Sequence, residues 1–131
     1  PCESIKSKVD CSSCHAEIGD EYMKSTHGTL AANLDTNAPS CKECHGTHNV
    51  LGKHNPVSPI FAINIPTLCA SCHREGEQAA IRNKGTEKDI IQHYEESIHG
   101  RGLIKSGLTV TATCTDCHTA HSELPHNNPE V

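Results

Sequence analysis

The chain has 131 residues, a length suited to a single domain. A hydrophobic content of 34%, with two Tyr, one Phe and no Trp, excludes an ordinary aromatic-rich core. A formal net charge of −5 without a basic stripe excludes a nucleic-acid-binding surface, and no stretch is long and apolar enough to span a membrane.

The elements follow in chain order. Cys2 is the odd cysteine; taken with Pro1 as the mature start it is not expected to be the free N-terminal Cys of a lipid anchor, and it reads as a free thiol or an intermolecular disulfide. Residues 12–27 predict a helix with Ile18 and Tyr22 one turn apart, stopped at Gly28. Residues 55–66 hold three Pro and cannot be a helix interior. They predict an extended segment whose Ile60, Phe61, Ile63 and Ile65 pack over the subunit's own interior or meet another subunit by strand addition. Residues 87–99 predict a second helix, with Thr86 and Asp89 as a capping box, a stripe of Ile90, Ile91, Tyr94 and Ile98, and Gly100 as its end.

Cysteine placement carries the chemistry. Eight of the nine Cys fall into four five-residue units: Cys11–His15, Cys41–His45, Cys69–His73 and Cys114–His118, each C-x-x-C-H. That is the attachment signature of c-type haem. Two Cys three apart sit on one helical turn and can form thioethers to the two vinyl groups of one porphyrin, with the adjoining His as axial ligand. Zinc sites do not require a His after every second Cys. A thioredoxin-like motif would occur once, within a βαβ unit. A disulfide framework would not repeat one unit four times.

Four covalent haems, about one per 33 residues, must then form much of the core. The expected fold is mostly irregular with short α-helices and little or no β-sheet, organised around a stack of four haems. The cofactor-binding residues are Cys11, Cys14, Cys41, Cys44, Cys69, Cys72, Cys114 and Cys117, and the proximal ligands are His15, His45, His73 and His118.

An internal repeat selects the second axial ligands. Tyr22, Ser25, His27 and Gly28 recur 72 positions later as Tyr94, Ser97, His99 and Gly100; the C-x-x-C-H and the His three residues after it recur as His48 and His121. The chain is therefore read as one domain, 1–131, built from two dihaem repeats (about 11–54 and 66–126) joined by the Pro-rich extended segment. His27, His48, His99 and His121 become the distal candidates. His48 and His121 lie too close to their own motif His to reach the opposite face of the same haem, so they should serve a neighbouring haem and tie each pair together. His54, His93 and His126 read as surface or propionate-contacting residues, any of which could replace a candidate. Both Tyr are expected to pack against haem.

Tyr-x-x-Ser-x-His-Gly together with C-x-x-C-H-x-x-His resembles the tetrahaem and octahaem cytochromes related to hydroxylamine oxidoreductase and the tetrahaem subunits of extracellular cytochrome nanowires, over roughly residues 11–121. The resemblance implies parallel-stacked haem pairs in a continuous chain. It also implies that a His of a neighbouring subunit could complete one haem.

Bis-His ligation at every iron leaves no position for substrate, so no catalytic residue is expected. Electron transfer is the function expected, with a small multihaem redox enzyme holding one open haem as the alternative. Haem attachment of this type occurs outside the cytoplasmic membrane, which implies an extracellular, cell-surface or periplasmic protein. No secretory signal is visible, so a processed form is expected. With its propionates the loaded protein would carry about −9 charges when oxidised. Expected partners are redox proteins or extracellular electron acceptors, and either other copies in a head-to-tail filament or, for a soluble periplasmic shuttle, transient ones.

Overall fold

The computed structural model describes residues 9–83 and 87–124. Cys2, Thr86 and His126 lie outside the described residues. Among those described, the chain forms only short helices and turns, with no strand. In the first half α1 (Ala16–Lys24), α2 (Thr26–Ala32) and α3 (Cys41–His45) follow a 3₁₀ turn at Cys11–Ser13. In the second, α4 (Ile65–His73), α5 (Gln78–Arg82), α6 (Ile90–Glu96), α7 (Ile98–Ser106) and α8 (Cys114–His118) follow a 3₁₀ turn at Ala62–Asn64.

Both predicted helices are in fact sharp corners between two helices. Ser25 and Ser97 adopt extended backbone (ψ 168° and 166°), breaking α1 from α2 and α6 from α7. Each Ser hydroxyl accepts the N–H of the Gly three residues on, Gly28 (3.0 Å) or Gly100 (3.1 Å), and so caps the second helix. Gly28 and Gly100 therefore do not end helices. They lie in the first turn of the second helix, where it crosses the end of the first: a Cβ would fall 1.9 Å from the Tyr22 carbonyl oxygen and 2.0 Å from that of Tyr94. The break at Ser97 also dissolves the expected stripe, since Ile91 is buried while Ile98 is 76% exposed. Asp89 stands at the N-cap of α6 but makes no side-chain cap bond.

The segment 55–66 is not extended. Successive i→i+3 backbone bonds (Ser58 to Asn55, Phe61 to Ser58, Asn64 to Phe61) coil it into turns. Asn64 Nδ2 donates to the Pro56 and Ser58 carbonyls (3.0 and 2.8 Å), and the buried Ser58 hydroxyl donates to the Leu51 carbonyl (2.9 Å). Pro66 sits in the first turn of α4, where its missing N–H costs nothing. The segment thus offers no extended edge for strand addition.

Packing is sparse. The buried apolar side chains among the described residues are Ala70 on α4, Ile91 on α6 and Leu103 on α7, while Val9, Leu34 and Val110 are each at least 87% exposed. Burial worth about 2 kcal/mol per large apolar side chain, applied to so few, cannot offset ordering more than 100 residues at 1 kcal/mol or more each. What joins the halves is polar: the Thr26 N–H donates to the Glu123 carbonyl (2.8 Å) and Arg82 pairs with Asp35 (2.5 Å). No helix among the described residues is long and apolar enough to cross a membrane.

Candidate haem-ligand framework

The four C-x-x-C-H units stand on two kinds of support. The second and fourth occupy α3 and α8, and each opens with a capping box. Ser40 N–H and hydroxyl both donate to Glu43 (2.8 and 2.5 Å); Thr113 N–H and hydroxyl donate to Asp116 (2.7 and 2.8 Å). The hydrogen bonds from Thr113 hold the Asp116 carboxyl below its usual range. Glu43 is also lowered: burial opposes the shift, and the Ser40 donors outweigh it. The first unit is a 3₁₀ turn capped by Asp10, whose carboxylate accepts from Ser12 N–H (3.0 Å). The third ends the longer helix α4. None of the eight motif Cys is joined in a disulfide. The signal for these caps, Ser or Thr three residues before Glu or Asp, is legible in the sequence.

The two corners tie each distal candidate to the motif that follows it. Tyr22 donates its hydroxyl to the Pro39 carbonyl (2.5 Å) and Tyr94 to the Ala112 carbonyl (3.0 Å), in both cases two residues before a motif Cys. Ser25 and Ser97 N–H groups donate to the carbonyls of the same Tyr residues (2.9 and 3.0 Å). His27 and His99 follow two residues later, fixed to the first turn of the second helix. The Tyr residues are thus struts between corner and motif.

Two pairs of imidazoles come together, and both cross between the halves. His45 of the second motif faces His121 with ring centroids 6.1 Å apart and planes at 9°. His73 of the third motif faces His27 at 6.2 Å and 52°. Burial, then His121, then His15 push the His45 imidazole below its ordinary pKa; burial, then His27, then His118 do the same to His73. Two metal–imidazole bonds of about 2.0–2.1 Å, with about 1.1 Å from each nitrogen to its ring centre, separate centroids by about 6.2–6.4 Å. The observed spacings of 6.2 and 6.1 Å are close to that separation. Spacing predicted that His48 and His121 serve a neighbouring haem and tie each pair together; in the structure His121 lies against His45 of the other half.

The remaining candidates stay apart. His15 and His118 of the outer motifs are exposed, as are His48 and His99. Several candidates have Nδ1 against an oxygen, which turns Nε2 outward for a ligand. The partner is Thr47 Oγ1 for His48 (2.9 Å), Thr111 Oγ1 for His99 (3.4 Å) and Glu123 Oε2 for His27 (3.6 Å). His93 makes a similar contact with Glu87 (3.2 Å) on an exposed face, so the contact by itself does not mark a ligand. His54 is exposed.

The residue after the motif His of α3 and of α8 sets the path to the His three positions on. Gly46 has φ 81° and ψ 173°, and Thr119 repeats it at φ 64° and ψ 171°. A β-branched residue is strained there. The thiols also pair within halves, Cys11 against Cys41 and Cys69 against Cys114. The Cys114 neighbour, with burial, pushes the Cys69 thiol up, and Cys69 in turn lowers Cys114 to about 7. No group of three or more His, Cys, Asp or Glu among the described residues is arranged to hold a metal ion by itself. Comparison with protein families, characterised proteins and solved structures gives no match to this chain.

Proposed function

We propose that the chain is a tetrahaem c-type cytochrome that transfers electrons along four bis-His haems. The observation that carries this reading is the pair of cross-half imidazole contacts at 6.1 and 6.2 Å, each joining a C-x-x-C-H His to a distal candidate. The donor set fits haem: thiols three apart on one turn, an adjoining His, and a second His facing the first. The small number of buried apolar side chains among the described residues points the same way, because four porphyrins would supply the missing apolar area. Haem iron held by two imidazoles exchanges electrons with little rearrangement. The protein's share is to hold the irons close together, fix each axial ligand, and set the potentials through burial and charge.

The same pairing supports a head-to-tail polymer. His27 reaches forward to the leading motif of the next repeat and His121 back to the trailing motif of the previous one. A closed two-fold relation between the repeats would set His99 against His15 and His48 against His118 within the chain, and neither pair forms. An open relation of this kind, repeated between copies as a heterologous contact, would generate a filament. On this reading His99 meets His15 of the next copy and His48 meets His118 of the preceding one, in an extracellular or cell-surface filament.

The test is the purified holo-protein. Mass spectrometry should find four haems on Cys11/Cys14, Cys41/Cys44, Cys69/Cys72 and Cys114/Cys117, and the ferric spectrum should be low-spin. His27→Ala and His121→Ala should each turn one haem in four high-spin. Electron microscopy should show filaments, and dispersing them should raise the high-spin fraction. A chain without covalent haem, or variants that stay fully low-spin, would refute the reading.

A further inference from the structure

Glu123 has no counterpart in the other repeat. The aligned position is Val50, and His99, the counterpart of His27, has the neutral Thr111 hydroxyl beside its Nδ1. Glu123 instead sets a carboxylate oxygen 3.6 Å from His27 Nδ1. That oxygen is fully buried and has no hydrogen-bond partner. A buried carboxylate oxygen without a donor is costly and calls for an explanation. The backbone holds it there, since the Glu123 carbonyl accepts the N–H of Thr26, the residue preceding His27. The carboxylate also sits between the inner motifs: burial first, then Glu123, push the Cys44 thiol up.

We propose that Glu123 is a positioning residue for the His27 ligand, taking its Nδ1–H so that Nε2 points at the haem of the Cys69–His73 motif and lowering that haem's reduction potential relative to the other three. The proposal rests on the tetrahaem reading. The reasoning is the carboxylate–histidine–metal relay: an anionic acceptor fixes the tautomer, orients the ring and makes the imidazole a stronger donor. A stronger donor stabilises ferric iron over ferrous. The repeat then builds two unlike ligands from one motif, His27 backed by a charge and His99 by a hydroxyl. Unlike potentials at neighbouring haems give a chain of otherwise similar sites an internal step.

The experiment is spectroelectrochemical titration of the holo-protein with Glu123→Gln, alongside Glu87→Gln as a control that removes a carboxylate from the exposed His93. The Gln side chain leaves the Thr26–Glu123 backbone bond untouched, so folding is expected to survive. Glu123→Gln should move one component of four to higher potential and change the low-spin electron paramagnetic resonance signal of one haem, while Glu87→Gln moves none. Glu123→Asp should restore part of the shift. A Glu123→Gln protein with four haems and unchanged potentials would overturn the role of Glu123 and leave the tetrahaem reading standing. A parent protein without covalent haem would overturn the reading on which it rests.

Discussion

Gly100→Ala tests the corner that carries the second distal candidate. In the structure an added methyl would lie 2.0 Å from the Tyr94 carbonyl oxygen and 2.8 Å from the Glu95 Cα. Both are backbone atoms, so no side chain can swing aside. A carbon and an oxygen need about 3.2 Å, so α7 must move from α6 by roughly 1 Å, which costs about 3 kcal/mol, the upper part of the overpacking range. The move also pulls Gly100 N–H from Ser97 Oγ, 3.1 Å away in the parent. With a guanidinium slope of about 4 kcal/mol/M, the unfolding midpoint should fall by about 0.7 M. The assay is guanidinium unfolding of the holo-protein followed by circular dichroism at 222 nm, with Gly52→Ala as reference. Gly52 has open space at its Cβ and an ordinary φ, so that variant should match the parent or exceed it slightly. A Gly100→Ala midpoint within 0.1 M of the parent would refute the close crossing of the two helices.

Ser25→Ala should lose about 1–2 kcal/mol of stability by thermal unfolding, because it strips the cap from α2 and leaves the buried Gly28 N–H without an acceptor. Thr119→Gly should stabilise the chain by about 1 kcal/mol in the same assay, since it relieves a positive φ that its counterpart Gly46 meets without strain. Acid should weaken α3 and α8. Glu43 and Asp116 are lowered in the folded chain, so their contribution is full above the unfolded values near 4 and fades as pH falls through the lower folded ones. Asp116→Asn should flatten the part of that dependence, read as melting temperature between pH 6 and 3, that belongs to α8. Because His27–His73 and His45–His121 both cross between the halves, the holo-protein should unfold in one transition; two separated transitions would contradict those contacts.

How legible the molecule was depends on the range of the interaction. Short helices, with no sheet among the described residues, followed from a chain poor in aromatic residues and punctuated by Cys, His, Pro and Gly. The duplication was visible too, and the structure repeats it atom for atom at the Tyr–carbonyl and Ser–Gly bonds. The break inside each Tyr-x-x-Ser-x-His-Gly was missed, because Gly at that position matches a helix stop unless the Ser is recognised as the cap of a second helix. The turns of 55–66 were missed for a similar reason. Pro excludes a helix interior, but whether the alternative is extended or coiled rests on where Asn64 and Ser58 send their hydrogen bonds. Which distal candidate faces which motif was beyond reach, since ring pairs 46 and 76 positions apart leave no periodic trace.

The division of labour within the chain follows from these ranges. Its hydrogen bonds are mostly local: caps at Ser25, Ser40, Ser97 and Thr113, turns through 55–66, and struts from each Tyr to the nearest motif. Such bonds shape fragments of 10 to 20 residues, each contributing about 1 kcal/mol, and cannot by themselves order the whole. The contacts that do span the chain include the two histidine pairs, the Thr26–Glu123 backbone bond and the Arg82–Asp35 ion pair. A fold whose local pieces are set by polar bonds, and whose halves meet partly through prospective ligands, has its global stability tied to what those ligands hold. On the tetrahaem reading, haem attachment and folding are therefore one linked step, and the outer ligands His48 and His99 extend that linkage to assembly.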